Sequence, residues 1–232
     1  MTRSASDEET KRAPSSLWRA FVTYFGTLGR RRETVVADLA GLEKFINTRS
    51  AHVAQTALYG YLRTRAGTRF PELFSDDRFV ESINIAKWQV WLACVSDLAV
   101  HCGLMLRREG AAAPVVARLI QQAVERILED TGVPQDAGAQ FVAGAERVRS
   151  RILLCEWNVT DDDETAFAQS PAALVQWAPI TDDLKELDEE IVINSVRFRW
   201  HEVRRDLQGG LRAESLLAES GYGENGQGNP SR

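Results

Sequence analysis

Cysteine is scarce in this sequence, which has three among its 232 residues: Cys94, Cys102 and Cys155. The number is odd and no C-x-x-C pair occurs. If their segment is helical, Cys94 and Cys102 lie roughly 12 Å apart along the helix axis, which is too far for a disulfide. This usage is typical of a reducing compartment. The first residues also lack the apolar region of a secretory signal, so we expect a cytoplasmic protein.

Basic charge is not in excess either. The chain has 28 Lys and Arg against 33 Asp and Glu, a net charge of −5. Binding nucleic acid in general needs a basic surface that neutralises phosphates, so we exclude nucleic acid as a partner. The charges are nevertheless unevenly spread. Residues 1–32 contain seven basic side chains against three acidic ones, and residues 161–190 contain ten acidic side chains against one lysine.

The motifs of common enzyme and cofactor classes are missing from the part of the sequence that is predicted to be helical. The sequence contains no G-x-S-x-G, G-x-x-x-x-G-K-[ST] or H-E-x-x-H, each of which marks a particular chemistry. Its one G-x-G-x-x-G, residues 221–226, lies in the polar C-terminal tail and not between a strand and a helix, which is the context that dinucleotide binding needs. Glu-x-x-His pairs, which hold the metals of di-iron bundles, are also absent. We therefore predict no cofactor and no metal. The lack of a recognised catalytic motif favours a protein that is not an enzyme.

Strand patterns and internal repeats are absent, and helical periodicity fills the chain instead. Apolar residues recur at alternating spacings of three and four between Gly and Pro positions that end helices. The pattern predicts an all-α, single-domain bundle of about six to seven helices over residues 16–219. Residues 1–15 and 220–232 are predicted to be disordered tails because they contain few apolar residues.

The most apolar run, residues 79–106, is predicted to lie in a central buried helix over about residues 76–107, capped by Ser75. Its most apolar part, residues 90–106, reaches the minimum length for a membrane span. That part contains Asp97 and His101, and one Asp at the middle of a span costs roughly 2.5–3.5 kcal/mol on insertion. We interpret the run as the core helix of a bundle.

The polar residues of this helix form the first candidate site. At 100° per residue, Lys87, Cys94, Asp97 and His101 fall within about 80° of arc, and Asp97 and His101 are neighbours one turn apart. An Asp that orients a His can serve acid–base catalysis or support a metal ligand. It can equally satisfy a buried histidine in a core. His201 on the last long helix could face the same place, so the candidate catalytic residues are Lys87, Asp97, His101 and His201.

Two other patterns predict helix packing. Gln89, Ser96 and Gly103 recur every seven residues on the opposite side of the central helix, which is typical of a close helix–helix seam. The last long helix, predicted over about residues 182–207, has two apolar stripes, so we expect it to contact two neighbours. The first stripe is Leu184, Leu187, Ile191 and Phe198, with Asn194 and His201 at the same spacing; the second is Ile193, Val196, Trp200, Val203 and Leu207.

An amphipathic helix with a basic flank is predicted near the N-terminus. It covers residues 16–28 and is followed by three arginines. Such a helix can lie on an anionic membrane surface, contact a protein partner, or pack on its own bundle. The residues predicted to make partner or membrane contacts are Trp18, Phe21, Phe25, Arg30, Arg31 and Arg32.

A cationic stripe with hydroxyl groups follows helical spacing in the next predicted helix, residues 34–66. Its members, Arg49, His52, Tyr59 and Arg63, are candidates for binding an anion. The other interpretation is a solvated face that pairs with acidic side chains.

Two functions follow from these patterns. The first is a cytoplasmic helical interaction protein, an assembly factor or accessory subunit with a protein partner, held at the inner face of an anionic membrane by its N-terminal helix. The alternative is a bundle that binds a small-molecule ligand or acts as a catalyst through the Asp97–His101 pair. No family resemblance decides between them.

Overall fold

A computed structural model describes residues 35–157 and 163–219. Over these residues the chain forms α-helices and one 3₁₀ helix, and its only extended pairing there is an isolated parallel bridge between Val36 and Leu211. The predicted all-α bundle is confirmed. The elements are α1 (Leu39–Ala66), the 3₁₀ helix (Gly67–Ser75), α2 (Asp77–Arg108), α3 (Ala113–Thr131), α4 (Gln140–Leu153), α5 (Asp163–Ala166), α6 (Gln169–Trp177), α7 (Asp182–Gly210) and α8 (Ala213–Glu219).

Helix α2 is the centre of the bundle, as predicted, and packs against α1, α3, α4 and α6. Among the described helices it alone is long and apolar enough to cross a membrane, judged by length and composition. However, 89% of its most apolar window is buried inside the protein. The core helix of a soluble protein has this property, because neighbouring helices cover it on all sides.

Two predicted helix caps are wrong by one or two residues. Asp76, not Ser75, caps α2: its carboxylate accepts hydrogen bonds from the backbone N–H groups of Arg78 (2.9 Å) and Phe79 (3.4 Å), while Ser75 is the last residue of the 3₁₀ helix. Asp76 has the extended backbone that an N-cap requires. Ser170 stands before Pro171, a pattern that predicts the N-cap of a short helix over residues 172–177, but it lies inside the first turn of α6.

Helix α7 packs on α1 and α6 through one side only. The second predicted stripe faces the bundle: Val196, Trp200, Val203 and Leu207 are buried and Ile193 is half-buried. The helix thus has the two expected neighbours, but both contact the second stripe, and the first predicted stripe is exposed. We call Leu184, Leu187, Ile191 and Phe198 the outer stripe.

Polar contacts fix the rotation of α7 about its own axis. The Arg65 guanidinium of α1 donates two hydrogen bonds to the Asp188 carboxylate, which also accepts one from the Tyr61 hydroxyl at 3.0 Å. Near the other end of α7, Arg49 forms an ion pair with Asp206 at 2.8 Å. Because contacts at both ends join the same side of α7 to α1, the outer stripe remains on the surface.

Candidate functional site

The Asp97 carboxylate is the most deeply buried charged group in the described part of the chain, with 0% of its residue surface exposed. Its Oδ1 accepts hydrogen bonds from Nη1 of Arg151 at 2.6 Å and from the backbone N–H of Gln169 at 3.1 Å. Its Oδ2 accepts one from the backbone N–H of Ser170 at 2.7 Å. The carboxylate therefore joins the middle of α2 to α4 and to the start of α6.

This contact serves as the N-terminal cap of α6. The first N–H groups of a helix have no partner within the helix, and Ala168, at the N-cap position, has no side chain that can accept their hydrogen bonds. Asp97 supplies the acceptor from another helix, and its negative charge is favourable at the positive end of the helix dipole. The segment was predicted to be capped by Ser170, and the structure assigns that role to Asp97.

Arg151 completes the surroundings of Asp97. Besides the ion pair, its guanidinium donates to Ser96 Oγ at 3.0 Å and to the backbone carbonyls of Thr165 (3.3 Å) and Ala166 (3.0 Å). It thereby satisfies the carbonyls at the end of α5 while neutralising the buried acid. A buried charge needs both a counter-ion and hydrogen bonds, and Asp97 has both.

Burial has the largest effect on the titration of this site. It raises the pKa of Asp97, and the Arg151 charge and the hydrogen bonds from Ser170 and Arg151 limit that rise. Burial, with a further contribution from Asp97, also raises the pKa of the Cys94 thiol well above its ordinary value. The thiol therefore stays protonated at neutral pH and is a poor nucleophile.

His101 lies in a row of aromatic rings beside this contact. Its ring is 2% exposed and its centroid is 5.0 Å from that of Phe167, which in turn lies 4.8 Å from the ring of Trp200. Trp200 Nε1 donates a hydrogen bond to Ser170 Oγ at 3.0 Å. The row connects α2, the α5–α6 junction and α7.

Lys87 has a different environment, ten residues and about 15 Å before Asp97 along α2. Its Nζ lies 2.7 Å from Asp136 Oδ2 and 4.8 Å from the Trp88 ring centroid, and Trp88 Nε1 donates to Asp136 Oδ1 at 2.7 Å. Burial raises the pKa of Asp136, but the hydrogen bonds from Lys87 and Trp88 and the Lys87 charge outweigh it, so the net shift is downward.

His201 is exposed and contacts Phe198, with ring centroids 6.1 Å apart. The four predicted catalytic candidates thus have separate neighbours: Asp97 contacts α4 and α6, His101 contacts Phe167, Lys87 contacts Asp136, and His201 contacts Phe198. Arg151 and Asp136 were not predicted, because each lies about 50 residues from its partner in sequence.

The predicted anion-binding stripe is divided between different contacts. Arg49 pairs with Asp206, and the partial burial of the His52 side chain, together with the nearby Arg49, lowers the pKa of His52. The Tyr59 ring stacks on Phe74 with centroids 6.5 Å apart, and burial raises its pKa to about 12. Arg63 is exposed. Arg49 therefore contributes to the contact between α1 and α7.

The predicted packing seam on α2 is confirmed. A Cβ atom on Gly103 would lie 2.0 Å from the Trp157 ring, so only glycine fits there. Ser96 accepts its hydrogen bond from Arg151, and Gln89 Oε1 accepts one from Arg147 at 3.4 Å. These residues face α4 and the segment that follows it.

The outer stripe of α7 consists of four large apolar side chains that are exposed on the surface. The exposed fractions are 72% for Leu187, 71% for Ile191 and 75% for Phe198, with Leu184 at 38%. Single exposed apolar side chains are common, whereas several large ones on one helix face are more typical of interaction surfaces. The sequence showed the stripe, and the structure shows that α1 and α6 leave it uncovered.

Among the residues that the structure describes, no three His, Cys, Asp or Glu side chains come together as metal ligands would. The predicted contact residues Trp18, Phe21, Phe25 and Arg30–Arg32 lie outside the described residues, as do both predicted tails. Comparisons with protein-family models, with curated proteins and with solved structures found no match for this chain.

Proposed function

We propose that this protein is a helical interaction protein, an assembly factor or accessory subunit that binds a protein partner through the outer stripe of α7. The observation that carries the proposal is the exposure of about three quarters of each of the large side chains Leu187, Ile191 and Phe198. Covering such a row with an apolar partner surface removes it from water, which stabilises the complex by roughly 25 cal/mol per Å² of apolar area.

The internal polar groups give less support to the alternative, a catalytic or ligand-binding bundle. Asp97 already accepts three hydrogen bonds and has Arg151 as its counter-ion. Lys87 and His201 lie elsewhere, beside Asp136 and Phe198. A general acid or base must lie within hydrogen-bond reach of a substrate, and Asp97 is enclosed by its structural partners.

The experiment is an affinity purification from the native cell with three tagged chains: wild type, the triple variant Leu187→Ser, Ile191→Ser, Phe198→Ser, and a matched control, Val142→Ser, Leu153→Ser. The control residues are also apolar and exposed (59% and 70%), but they lie on α4. We expect a specific partner that the outer-stripe variant loses and the control keeps. An identical set of copurified proteins from all three chains would overturn the proposal.

We extend the proposal to residues 16–32, predicted from the sequence to form an amphipathic helix with a basic flank, as a peripheral membrane contact, because aromatic residues and arginines are the combination that binds anionic lipid surfaces. Flotation with phosphatidylserine-containing vesicles should recover the full chain, and the variant Trp18→Ser, Phe21→Ser, Phe25→Ser should stay in the unbound fraction. Neutral phosphatidylcholine vesicles are the control. Equal recovery of both chains on both vesicle types would remove the membrane from the proposal.

A further inference from the structure

Resting on the proposed function, we propose that the partner of the outer stripe is α7 of a second copy of this chain, packed antiparallel about a twofold axis at Asn194. The outer stripe is the apolar part of the contact, and the charges beside it select the second copy and its direction.

The spacing of the exposed side is that of a coiled coil. Starting from Leu184, the positions on this side advance by three and four residues in turn and end at His201. This alternation is the heptad repeat that lets one helix pack along another. The full series is Leu184, Leu187, Ile191, Asn194, Phe198 and His201. Asn194, at its middle, is exposed, and a polar residue at one seam position is a known device for fixing register.

The two halves of α7 carry opposite charge. Residues 182–190 contain six acidic side chains and one lysine, whereas residues 195–206 contain four arginines and two acidic side chains. Of the acidic side chains, Asp188 and Asp206 pair with arginines of α1 and do not contribute to the outer side. An antiparallel pair centred on Asn194 places the acidic half of one helix beside the basic half of the other. In a parallel pair, acidic halves would lie together and basic halves would lie together, and like charges at close range oppose association.

One charged pair can be identified by position. Glu190 and Arg197 flank the seam on the same side, at equivalent heptad positions, and both are exposed. In an antiparallel coiled coil about Asn194, Glu190 of each copy lies opposite Arg197 of the other. The twofold axis makes this contact twice, which is the self-complementarity that a symmetric dimer requires.

The bundle holds α7 ready for this contact. Asp188 is fixed by Arg65 and Tyr61, Asp206 by Arg49, and Trp200 by Ser170. These contacts lie on the side of α7 that faces the bundle. The helix therefore presents a rigid face, and association loses little conformational freedom beyond that of the surface side chains.

The test is the mass of the full chain in solution, measured by sedimentation equilibrium at micromolar concentrations. We expect a dimer of the 25.9 kDa chain whose dissociation constant rises by at least about a hundredfold in the Leu187→Ser, Ile191→Ser, Phe198→Ser variant. The α4 control variant, Val142→Ser, Leu153→Ser, should dimerise like the wild type. A dimer that the outer-stripe variant retains would overturn the proposal, because it would use another surface.

Charge exchange tests the direction of the pair. Glu190→Arg alone, or Arg197→Glu alone, should weaken the dimer by about tenfold, since each places like charges opposite one another. The double variant Glu190→Arg, Arg197→Glu should regain the affinity of the wild type, and so should an equimolar mixture of the two single variants. Failure of both rescues would overturn the antiparallel arrangement.

The results distinguish this inference from the proposed function. A wild-type chain that is monomeric at every concentration overturns the dimer. If the affinity purification still yields a partner that only the outer-stripe variant loses, the proposed function stands with a different partner. If the purification yields none, both proposals fail. A dimer with the expected charge rescue supports both, because the second copy is then the partner.

Discussion

Helix α2 buries polar side chains in the middle of the bundle, whereas helix α7 exposes apolar side chains on the surface. Asp97 and His101 of α2 are 0% and 2% exposed, and Ile191 and Phe198 of α7 are 71% and 75% exposed. Both arrangements cost free energy when nothing offsets them, because a buried charge loses its hydration and an exposed apolar group orders or displaces water.

The two helices differ in where the compensation lies. The charge of Asp97 is offset inside the described structure, by Arg151 and by two backbone N–H groups of α6. No contact of that kind covers Ile191 or Phe198 in the described ranges. The contacts of Asp97 within the bundle thus explain how its burial is tolerated, while the exposure of the apolar residues of α7 is the basis of the proposed interaction.

The largest effect should come from Asp97→Asn. The amide keeps one acceptor oxygen, but its NH₂ group faces a donor and the Arg151 guanidinium loses its counter-ion. We expect a loss of about 3–5 kcal/mol in the free energy of unfolding, measured by urea denaturation. The control is Asp182→Asn, whose side chain is 92% exposed and which should change stability by less than about 0.5 kcal/mol. A small effect at Asp97 would mean that its contacts are not structural.

A smaller effect should appear in the pH dependence of stability. The pKa of Asp136 is lowered in the folded protein from its ordinary 3.8, so its stabilising contribution is complete above that value and is lost as pH falls through the folded pKa. The contribution of this partly exposed pair should be about 1 kcal/mol or less. Asp136→Asn should therefore reduce the loss of unfolding free energy that the wild type shows as pH falls into the acid range. The acid limbs of the two curves of unfolding free energy against pH would coincide if the Lys87–Asp136 pair contributed nothing.

Asp97 should act in the opposite sense. Its folded pKa is raised, so its titration favours the folded state most below the ordinary pKa and less as pH rises through the folded one.

The smallest effect on folding should come from the outer stripe. Phe198→Ser should change the free energy of unfolding by no more than about 0.5 kcal/mol at protein concentrations low enough to keep the chain monomeric, because the side chain is exposed. The matched variant is Phe141→Ser, whose ring is 2% exposed and whose loss should cost about 3–5 kcal/mol. Similar losses for both variants would show that Phe198 is packed and would remove the contrast between α2 and α7.

Helical periodicity was enough to predict the fold class, the central position of α2 and the seam of Gln89, Ser96 and Gly103. These features depend on the local spacing of apolar, small and polar residues, which a single sequence displays directly. The inward stripe of α7 was predicted on the same ground.

The partners of the buried polar groups could not be predicted. Asp97 and Arg151 are 54 residues apart, and nothing in local spacing indicates which distant side chain meets a buried acid. The cap of α6 was assigned to Ser170 because a serine before a proline is a strong local signal. For the outer stripe, periodicity showed two apolar sides of α7, but only the packed bundle shows which of them has a neighbour.

The capping of α6 by Asp97 has a consequence for the order of folding. A nine-residue helix is marginal on its own, and its cap comes from a residue about 70 positions earlier in the chain. The segment thus lacks a complete N-terminus until α2 is already in place beside it. We expect α6 to form late, after docking on α2, so that hydrogen exchange at its first amides reports the assembly of the bundle centre rather than local helix formation.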